Sequence, residues 1–267
     1  MKINIHARHK HAHPFQLALD EGFRKHGLDV VWPSVITECD IAVVWSWNNP
    51  AIIKQQKQSG GRVLVMEAGY VGDRLQTCSL GFDGLNGKAK FPKAPNSDRW
   101  NKLYPDELSP WKEDGEYILL MGQMPGDMSI KGLVDIEGWY AESAEAVKDI
   151  DDDIVCFRPH PLAVERGYKI NDVPGTITIN RPLDSALRDA RACVTYNSSS
   201  AVEAVLAGVP TWSCDEGSMA YGVTGHDLTS FPPVPDRAEW CANLAYCQWT
   251  REELASGEAW ENLKTIL

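Results

Sequence analysis

The fold of this chain is decided by the stretch RACVTYNSSSAVEAVLAGVP, residues 191–210. Its first five residues are predicted to form a short buried strand. The apolar residues between 201 and 206 recur at the spacing of one helix face. Gly208 and Pro210 are residue types that follow the end of a helix. The stretch therefore predicts a strand, a hydroxyl-rich turn and a helix, which together form the repeating unit of an α/β protein.

The turn between that strand and that helix is rich in groups that bind phosphate. Asn197 and Ser198 are expected to cap the helix, and the backbone N–H groups at a helix start attract anions. The three consecutive hydroxyls of Ser198, Ser199 and Ser200 suit phosphate oxygens. The alternative interpretation is ordinary capping in an α/β protein.

Composition places the chain among soluble globular proteins, because 43% of its 267 residues are hydrophobic and 24% are charged. That length suffices for one large domain or two small ones. We expect no membrane insertion, since no apolar run could span a bilayer and the first residues form a strand rather than a signal peptide. Seven cysteines without a CxxC pair predict reduced thiols in a cytoplasmic protein.

The formal net charge of −11 argues against a protein held on nucleic acid by its overall electrostatics. It does not exclude an enzyme with a local basic cleft. Walker A, dinucleotide GxGxxG, GxSxG and HExxH patterns are all absent from the sequence. Their absence argues against P-loop kinases, simple dehydrogenases, serine hydrolases and zincins.

Strands and helices alternate along most of the chain. Strands are predicted at residues 2–6, 28–32, 41–45, 62–66, 116–121, 154–157, 176–179, 191–195 and 211–214. Helices are predicted near residues 14–27, 50–59, 136–150, 183–189, 201–207, 238–247 and 251–267. Residues 72–115 show no periodicity and are predicted to be a functional loop or a linker. This alternation predicts parallel sheets with function at the carboxyl ends of their strands.

The predicted fold class is α/β, with two Rossmann-like domains facing a cleft in a compact GT-B-like layout. Residues 1–112 are predicted to form an N-terminal, acceptor-side domain. Residues 113–267 are predicted to form a C-terminal domain that binds a nucleotide-sugar. The GT-B comparison is an analogy at the level of the fold, so the function has to be argued from individual residues.

Two further motifs follow predicted strands of the second half. Gly122, Gln123 and Ser129 lie in a Gly/Pro-rich turn that could meet a ligand, although a plain tight turn is the alternative. Arg158 and His160 belong to an RPHP motif, in which two prolines restrict the backbone around the histidine. His160 could donate a hydrogen bond to a leaving phosphate. A structural role at the strand end is the alternative.

The first half holds candidates for the acceptor side. Glu67, Asp73 and Arg74 follow its last predicted strand, and a carboxylate there could take a proton from an acceptor hydroxyl. An N-cap or a surface ion pair is the alternative. The loop after the first strand contains Arg8, with His9, His11 and His13 in alternation. No cysteine or carboxylate cluster accompanies them, so we expect a cationic acceptor-binding loop and no metal.

Taken together, these motifs resemble the capsule-polysaccharide Kdo transferase family of the KpsC/KpsS type. The resemblance covers about 100 residues of the second half. It rests on GQ with D-x-S at residues 122–129, on RPHP at 158–161 and on S-S-x-x-x-E-A-x-x-x-G-x-P at 198–210. Tyr221-Gly-Val-Thr224 resembles a small segment that follows in the family. HP and SS motifs also occur in bacterial GT-B sialyltransferases and CDP-glycerol polymerases, so they specify donor phosphate better than donor sugar.

The resemblance implies a metal-independent, inverting glycosyltransferase that uses a nucleotide-sugar. A UDP-sugar is favoured, a CMP-sugar is possible, and no further cofactor is expected. Glu203 is expected to hold a ribose hydroxyl or the local network. The donor-binding residues implied are Gly122, Gln123, Ser129, Arg158, His160, Asn197, Ser198, Ser199, Ser200 and Glu203.

The first half departs from that family. The family has an E-D-G-F segment whose aspartate is taken as the catalytic base, whereas this chain has Glu67-Ala68-Gly69-Tyr70. The base must therefore be another residue, and Asp73 and Glu67 are the candidates. With His160 on the leaving group, Asp73 and Glu67 complete the predicted catalytic set.

Stretches 69–74, 80–87 and 244–250 resemble phage-encoded glycosyltransferases, some of which modify hydroxymethylated pyrimidines. The main prediction is therefore transfer to 5-hydroxymethylcytosine or 5-hydroxymethyluracil in phage DNA, with the base taken out of the stack. Acceptor contacts are predicted at Arg8, His9, His11, Tyr70 and Arg74. The alternatives are a capsule or glycan glycosyltransferase of Kdo-transferase type, and a nucleotide-sugar-binding protein without catalysis.

Overall fold

The computed structural model describes residues 1–6, 12–131, 135–150 and 152–267. The chain forms two compact units. Unit 1 contains Met1–Pro105 and Ala238–Leu267, and unit 2 contains Asp106–Arg237. Among the described residues, no helix combines the length and the apolar character that crossing a bilayer requires.

The first part of unit 1 is a parallel α/β structure, and the strand that follows it runs in the opposite direction. Its elements up to residue 105 are β1 (Lys2–Ile5), α1 (His13–Lys25), β2 (Asp29–Val31), β3 (Ile41–Trp45), α2 (Pro50–Ser59), β4 (Arg62–Ala68), β5 (Thr77–Phe82) and α3 (Asp98–Leu103). Strands β1 to β4 pair in parallel, whereas β5 runs antiparallel to β4. The parallel sheet predicted for this half is therefore mixed.

Unit 2 is built on a wholly parallel sheet. Its elements are β6 (Tyr117–Met121), α4 (Ile136–Ile150), β7 (Val155–Arg158), α5 (Pro161–Glu165), β8 (Ile177–Thr178), α6 (Leu183–Asp189), β9 (Ala190–Thr195), α7 (Ser200–Leu206) and β10 (Thr211–Ser213). All of β6 is buried, because its alternate residues pack into hydrophobic clusters on the two faces of the sheet. Such burial explains why its sequence is continuously apolar.

The chain returns to unit 1 at Ala238. The last elements are α8 (Ala238–Cys247), β11 (Gln248–Thr250), α9 (Arg251–Ser256) and α10 (Glu258–Leu263). Strand β11 pairs antiparallel with β5 and completes the sheet order β2-β1-β3-β4-β5-β11. The predicted second domain, residues 113–267, therefore extends too far, since residues 238–267 complete the sheet and core of unit 1.

The prediction of a loop or linker over residues 72–115 is also wrong in part. This region contains β5 and α3, and all six residues of β5 are buried. Its sequence, TCSLGF, mixes small polar and apolar residues, so it shows neither a helical nor a strand period. Pairing on both edges with β4 and β11 supplies the hydrogen bonds that make this short polar segment a strand.

Arg99 on α3 binds residues 238–267 to the rest of unit 1. Its side chain is 8% exposed, and it donates to the carbonyls of Ala245 and Gln248 at 2.8 and 3.0 Å. It also pairs with both carboxylate oxygens of Glu253, and its guanidinium lies 4.2 Å from the Trp249 ring centroid. One arginine therefore satisfies two backbone carbonyls and the carboxylate that caps α9.

We predict that Arg99→Ala lowers the free energy of unfolding by about 3–5 kcal/mol, because it leaves the Glu253 carboxylate without its buried partner. Urea denaturation monitored by circular dichroism measures this loss. Arg251→Ala removes an exposed arginine from the same segment and should change stability by no more than about 0.5 kcal/mol. Equal stability of the two variants would contradict the role assigned to Arg99.

Candidate functional site

The sheet of unit 2 has a topological switch point. In the strand order β10-β9-β6-β7-β8, the chain runs from β6 outward through β7 to β8 and then returns to β9 on the other side of β6. Crossovers on opposite sides leave a crevice at the carboxyl ends of the two central strands, where α/β proteins bind ligands. Gln123 follows β6 and Asn197 follows β9, so both lie at this point.

Gln123 and Asn197 bond to each other in both directions. The Gln123 side-chain amide donates to Asn197 Oδ1 at 2.8 Å, and Gln123 Oε1 accepts from the Asn197 backbone N–H at 3.0 Å. Their exposed fractions are only 7% and 2%. Buried amides that are paired in this way hold the two strand ends at one separation and orientation.

The remaining amide protons of Asn197 are also used within the protein. Its Nδ2 donates to the Ser129 carbonyl and to Asp215 Oδ1, each at 2.8 Å. Asn197 was predicted to cap α7 and to bind the donor. The cap prediction is wrong, because α7 begins after Ser199 and the Asn197 Oδ1 that would accept a helix N–H accepts from Gln123 instead. Gln123, Ser129 and Asn197 thus build the crevice through contacts with one another.

The serine turn makes its own local hydrogen bonds. Ser198 Oγ accepts from the backbone N–H of Ser200 at 3.3 Å and from its hydroxyl at 2.8 Å. The Ser198 N–H donates to Thr195 Oγ1 at 3.2 Å. The half-buried Ser199 directly precedes α7, and its side chain makes no capping bond. Among the described residues its hydroxyl has no partner, so it can bond to a ligand.

Gly122 brings the end of β7 against the end of β6. Its N–H donates to the Arg158 carbonyl at 2.8 Å. A Cβ added at this glycine would meet the Arg158 carbonyl oxygen and the Pro159 Cα at 3.1 Å, and His160 N at 3.2 Å. The RPHP segment therefore lies close to the GQ turn because residue 122 has no side chain.

His160 serves as the N-cap of α5, and this fixes its proton. Its Nδ1 accepts the backbone N–H of Leu162 at 3.2 Å. An accepting nitrogen carries no proton, so the neutral ring holds its proton on Nε2 and presents an N–H donor there. Donation from this N–H to a leaving phosphate stays a prediction.

Arg158 and Glu203 interact electrostatically. Burial lowers the pKa of the Arg158 guanidinium, while the carboxylates of Glu203 and Asp184 oppose that shift. Arg158 Nε also donates to the Arg181 carbonyl at 2.9 Å. Glu203 therefore belongs to a charge network that connects α7 with the end of β7, which is one of the two roles predicted for it.

A cavity of about 260 Å³ opens beside these residues. Gly122, Gln123 and His160 contribute to its lining, together with Tyr140 from α4. We call it the Tyr140 cavity. Sequence reasoning missed it, because its walls come from four separate segments that carry no shared motif. Asp215 was missed as well, although its place just after a predicted strand could have identified it.

The acceptor-side candidates of unit 1 gather around the end of β4. Tyr70 is 3% exposed, its hydroxyl donates to Asn86 Oδ1 at 3.1 Å, and it accepts from Ser79 Oγ at 3.2 Å. Burial raises the pKa of the Tyr70 hydroxyl, and the Glu67 carboxylate adds to that rise. A ring buried and bonded in this way supports the fold of unit 1 and offers little surface to an acceptor.

Asp73 and Arg74 shape the turn that follows β4. Asp73 is exposed, and its Oδ1 accepts from the Leu75 N–H at 3.0 Å. Arg74 Nε donates to the Gly69 carbonyl at 2.6 Å. Glu67 is half-buried on β4. Arg8, His9 and His11 lie outside the described residues.

No family model matches the sequence, and no curated protein matches it. Among solved structures, the fold is similar to Thermosulfurimonas dismutans KpsC, beta Kdo 2,4 transferase, with a TM-score of 0.61 at 16% identity over 94% of this chain and 92% of that chain. It is also similar to Thermosulfurimonas dismutans KpsC, beta Kdo 2,7 transferase, with a TM-score of 0.55 at 13% identity over 97% and 99%. The predicted fold class, α/β with two Rossmann-like units of GT-B-like type, is confirmed.

We predict that Asn197→Ala lowers the free energy of unfolding by about 3 kcal/mol, because it leaves the buried Gln123 side-chain amide without its partner and removes one hydrogen bond to Asp215. Differential scanning calorimetry and urea titration measure this change. Asn180→Ala, at an exposed position of the same unit, is the control and should stay within about 0.5 kcal/mol of wild type. A wild-type stability for Asn197→Ala would show that the network contributes little.

Proposed function

We propose that this protein is a glycosyltransferase of the Kdo-transferase type, which transfers a sugar from a nucleotide-sugar to a hydroxyl of a glycan. The observation that carries the proposal is that polar groups suited to phosphate follow the two strands that flank β6. They are the Ser199 hydroxyl after β9, and Arg158 and His160 at the end of β7. Likeness in fold to the two KpsC structures supports the choice of reaction and of a glycan acceptor.

In this proposal the donor phosphate lies on the serine turn. Ser199 donates its hydroxyl proton to a phosphate oxygen, and the hydroxyl proton of Ser198 is available to a second one, because Ser198 Oγ only accepts within the turn. The half-buried Arg158 supplies a positive charge that water screens little. Charge-assisted hydrogen bonds of this kind are the strongest that a phosphate makes with protein side chains.

The chemical step is a direct displacement. The acceptor oxygen attacks the anomeric carbon, the bond from that carbon to the phosphate oxygen breaks, and the electron pair leaves with the nucleotide. The N–H of His160 donates to the oxygen on which negative charge develops, and this stabilises the transition state more than the ground state. A carboxylate takes the acceptor proton, and the assignment of Asp73 or Glu67 to that role stays a prediction.

Two other functions stay predictions of the sequence. The comparisons do not support hydroxymethylated pyrimidines in DNA as the acceptor. The other function that stays a prediction is binding of a nucleotide-sugar without catalysis. The transfer assay below separates all three.

Purified protein would be incubated with CMP-, UDP- and GDP-sugars, including CMP-Kdo, and with either a Kdo-terminated glycolipid or duplex DNA containing 5-hydroxymethylcytosine or 5-hydroxymethyluracil. Mass spectrometry of the acceptor is expected to show the mass of one sugar added to the glycolipid. A gain on DNA alone would replace the glycan acceptor with the one predicted from sequence. Nucleotide binding without any transfer would favour the binding protein.

We further predict that His160→Asn lowers kcat about 100-fold with a smaller change in KM, as for other donors to developing negative charge. Asparagine is a good N-cap residue, so this variant keeps the cap of α5 while it removes the imidazole N–H. The control is His26→Ala, a histidine of α1's end in unit 1, which should keep wild-type kcat. An active His160→Asn enzyme would exclude His160 from the chemical step.

A further inference from the structure

The buried side-chain amide of Gln248 uses its full hydrogen-bonding capacity within unit 1. Its Oε1 accepts from the backbone N–H groups of Tyr70 and Val71 at 2.6 and 3.0 Å. Its Nε2 donates to the Val71 carbonyl at 3.1 Å and to the Tyr104 hydroxyl. A glutamine amide offers two protons and two lone pairs, and all four are used here. Three of the four bonds go to the backbone of two consecutive residues.

These bonds hold a turn where the strand pairing of β4 has ended. Strand β4 pairs with β5 as far as Ala68, and Tyr70 and Val71 lie in the turn that leads to β5. Both residues are almost fully buried, so their backbone N–H groups need acceptors within the protein. A Cβ added at Gly69 would lie 3.1 Å from Gln248 Oε1, so the glycine gives the amide room to approach. Gln248 thus fixes the start of the turn.

The same glutamine lies in one row with Glu67 across the sheet. Glu67 on β4 pairs with Ser79 on β5, which in turn pairs with Gln248 on β11. Residues directly opposite each other in an antiparallel sheet project from the same face, so these three side chains share a face. Ser79 Oγ donates to the Tyr70 hydroxyl at 3.2 Å. Tyr70 is therefore held by two members of the row that contains Glu67.

The turn continues from this point to Asp73. Arg74 Nε donates to the Gly69 carbonyl at 2.6 Å, and the Gly69 N–H donates to the Arg74 carbonyl at 3.2 Å. These two bonds close the turn around residues 70–73. A displacement of its first residues would therefore be passed on to Asp73.

We propose that Gln248 is a positioning residue for removal of the acceptor proton, because it fixes the turn that follows Glu67 and contains Asp73. This proposal rests on the proposed function, in which one of these two carboxylates takes that proton. A general base must lie within hydrogen-bond reach of the hydroxyl it deprotonates, so its placement limits the rate. Gln248 acts on that placement through the turn, without contact to the acceptor.

Three variants separate positioning from stability. Gln248→Met keeps an unbranched side chain of similar length and removes all four hydrogen bonds. Tyr104→Phe removes only the bond from Gln248 Nε2 to the hydroxyl, so it also leaves a buried donor without that partner but keeps every bond to the turn. Gln248→Glu keeps an oxygen that can accept from the N–H groups of Tyr70 and Val71.

The transfer assay above, run with the donor and acceptor that the wild-type protein accepts, gives kcat and the KM for the donor. Gln248→Met is expected to lower kcat about 10-fold or more. Its donor KM should stay unchanged, because the proposed donor site lies in unit 2. Gln248→Glu should recover part of the loss. Tyr104→Phe should keep wild-type kcat, although urea denaturation is expected to show that it loses stability as well.

Hydrogen exchange followed by mass spectrometry tests the turn itself, without any substrate. The amides of Tyr70 and Val71 are expected to exchange about 10-fold faster in Gln248→Met and at the wild-type rate in Tyr104→Phe. Unchanged exchange in Gln248→Met would overturn the proposal, because the glutamine would then not hold the turn.

Two kinetic outcomes would also overturn the proposal and leave the proposed function standing. One is wild-type kcat in Gln248→Met despite faster exchange, and the other is an equal loss of kcat in Gln248→Met and Tyr104→Phe, which would reflect stability alone. If Gln248→Met does not fold, Gln248→Glu takes its place, and a kcat no lower than that of Tyr104→Phe overturns the proposal. Wild-type protein that transfers no sugar would overturn the proposed function together with this inference.

Discussion

The reciprocal hydrogen bonds between Gln123 and Asn197 are the constraint on which the candidate site depends. Each residue follows one of the two central strands of unit 2, and both side chains are buried. A buried amide without a partner costs about 1–3 kcal/mol, so the two strand ends are held together strongly. Because Asn197 also holds Ser129 and Asp215, one residue positions the turns that follow β6, β9 and β10.

Hydrogen bonds within the fold also orient the side chains that are candidates for ligand contacts. His160 uses one ring nitrogen to cap α5, and this leaves the second nitrogen as an N–H donor. The Tyr140 hydroxyl uses one lone pair for the Gln123 N–H, which leaves its proton for a ligand. In each case the structural hydrogen bond fixes the orientation of the donor, so the side chain needs little reorganisation when a ligand binds.

Unit 1 shows how a distant segment can bury a residue that the sequence places next to a strand end. Tyr70 is an aromatic residue after a strand end, a position typical of ligand contacts. The backbone N–H groups of Tyr70 and Val71 donate to Gln248 Oε1 at 2.6 and 3.0 Å. Gln248 lies 178 positions after Tyr70, in the strand that returns to this sheet. The tyrosine is therefore covered by a segment that its own neighbourhood in sequence does not reveal.

The sequence alone determined most strands and helices, such as α2 and α4, because the period of their apolar residues reflects burial of one face and is a local property. It also identified the serine turn and RPHP motif, whose residue types suit phosphate. Only the tertiary structure showed that TCSLGF is a strand and that residues 238–267 complete unit 1. It also showed that the Asn197 side chain bonds to neighbouring residues of the site. The reason is distance along the chain. Asn197 meets Gln123 across 74 positions and β11 meets β5 across about 170, and no local pattern specifies such partners.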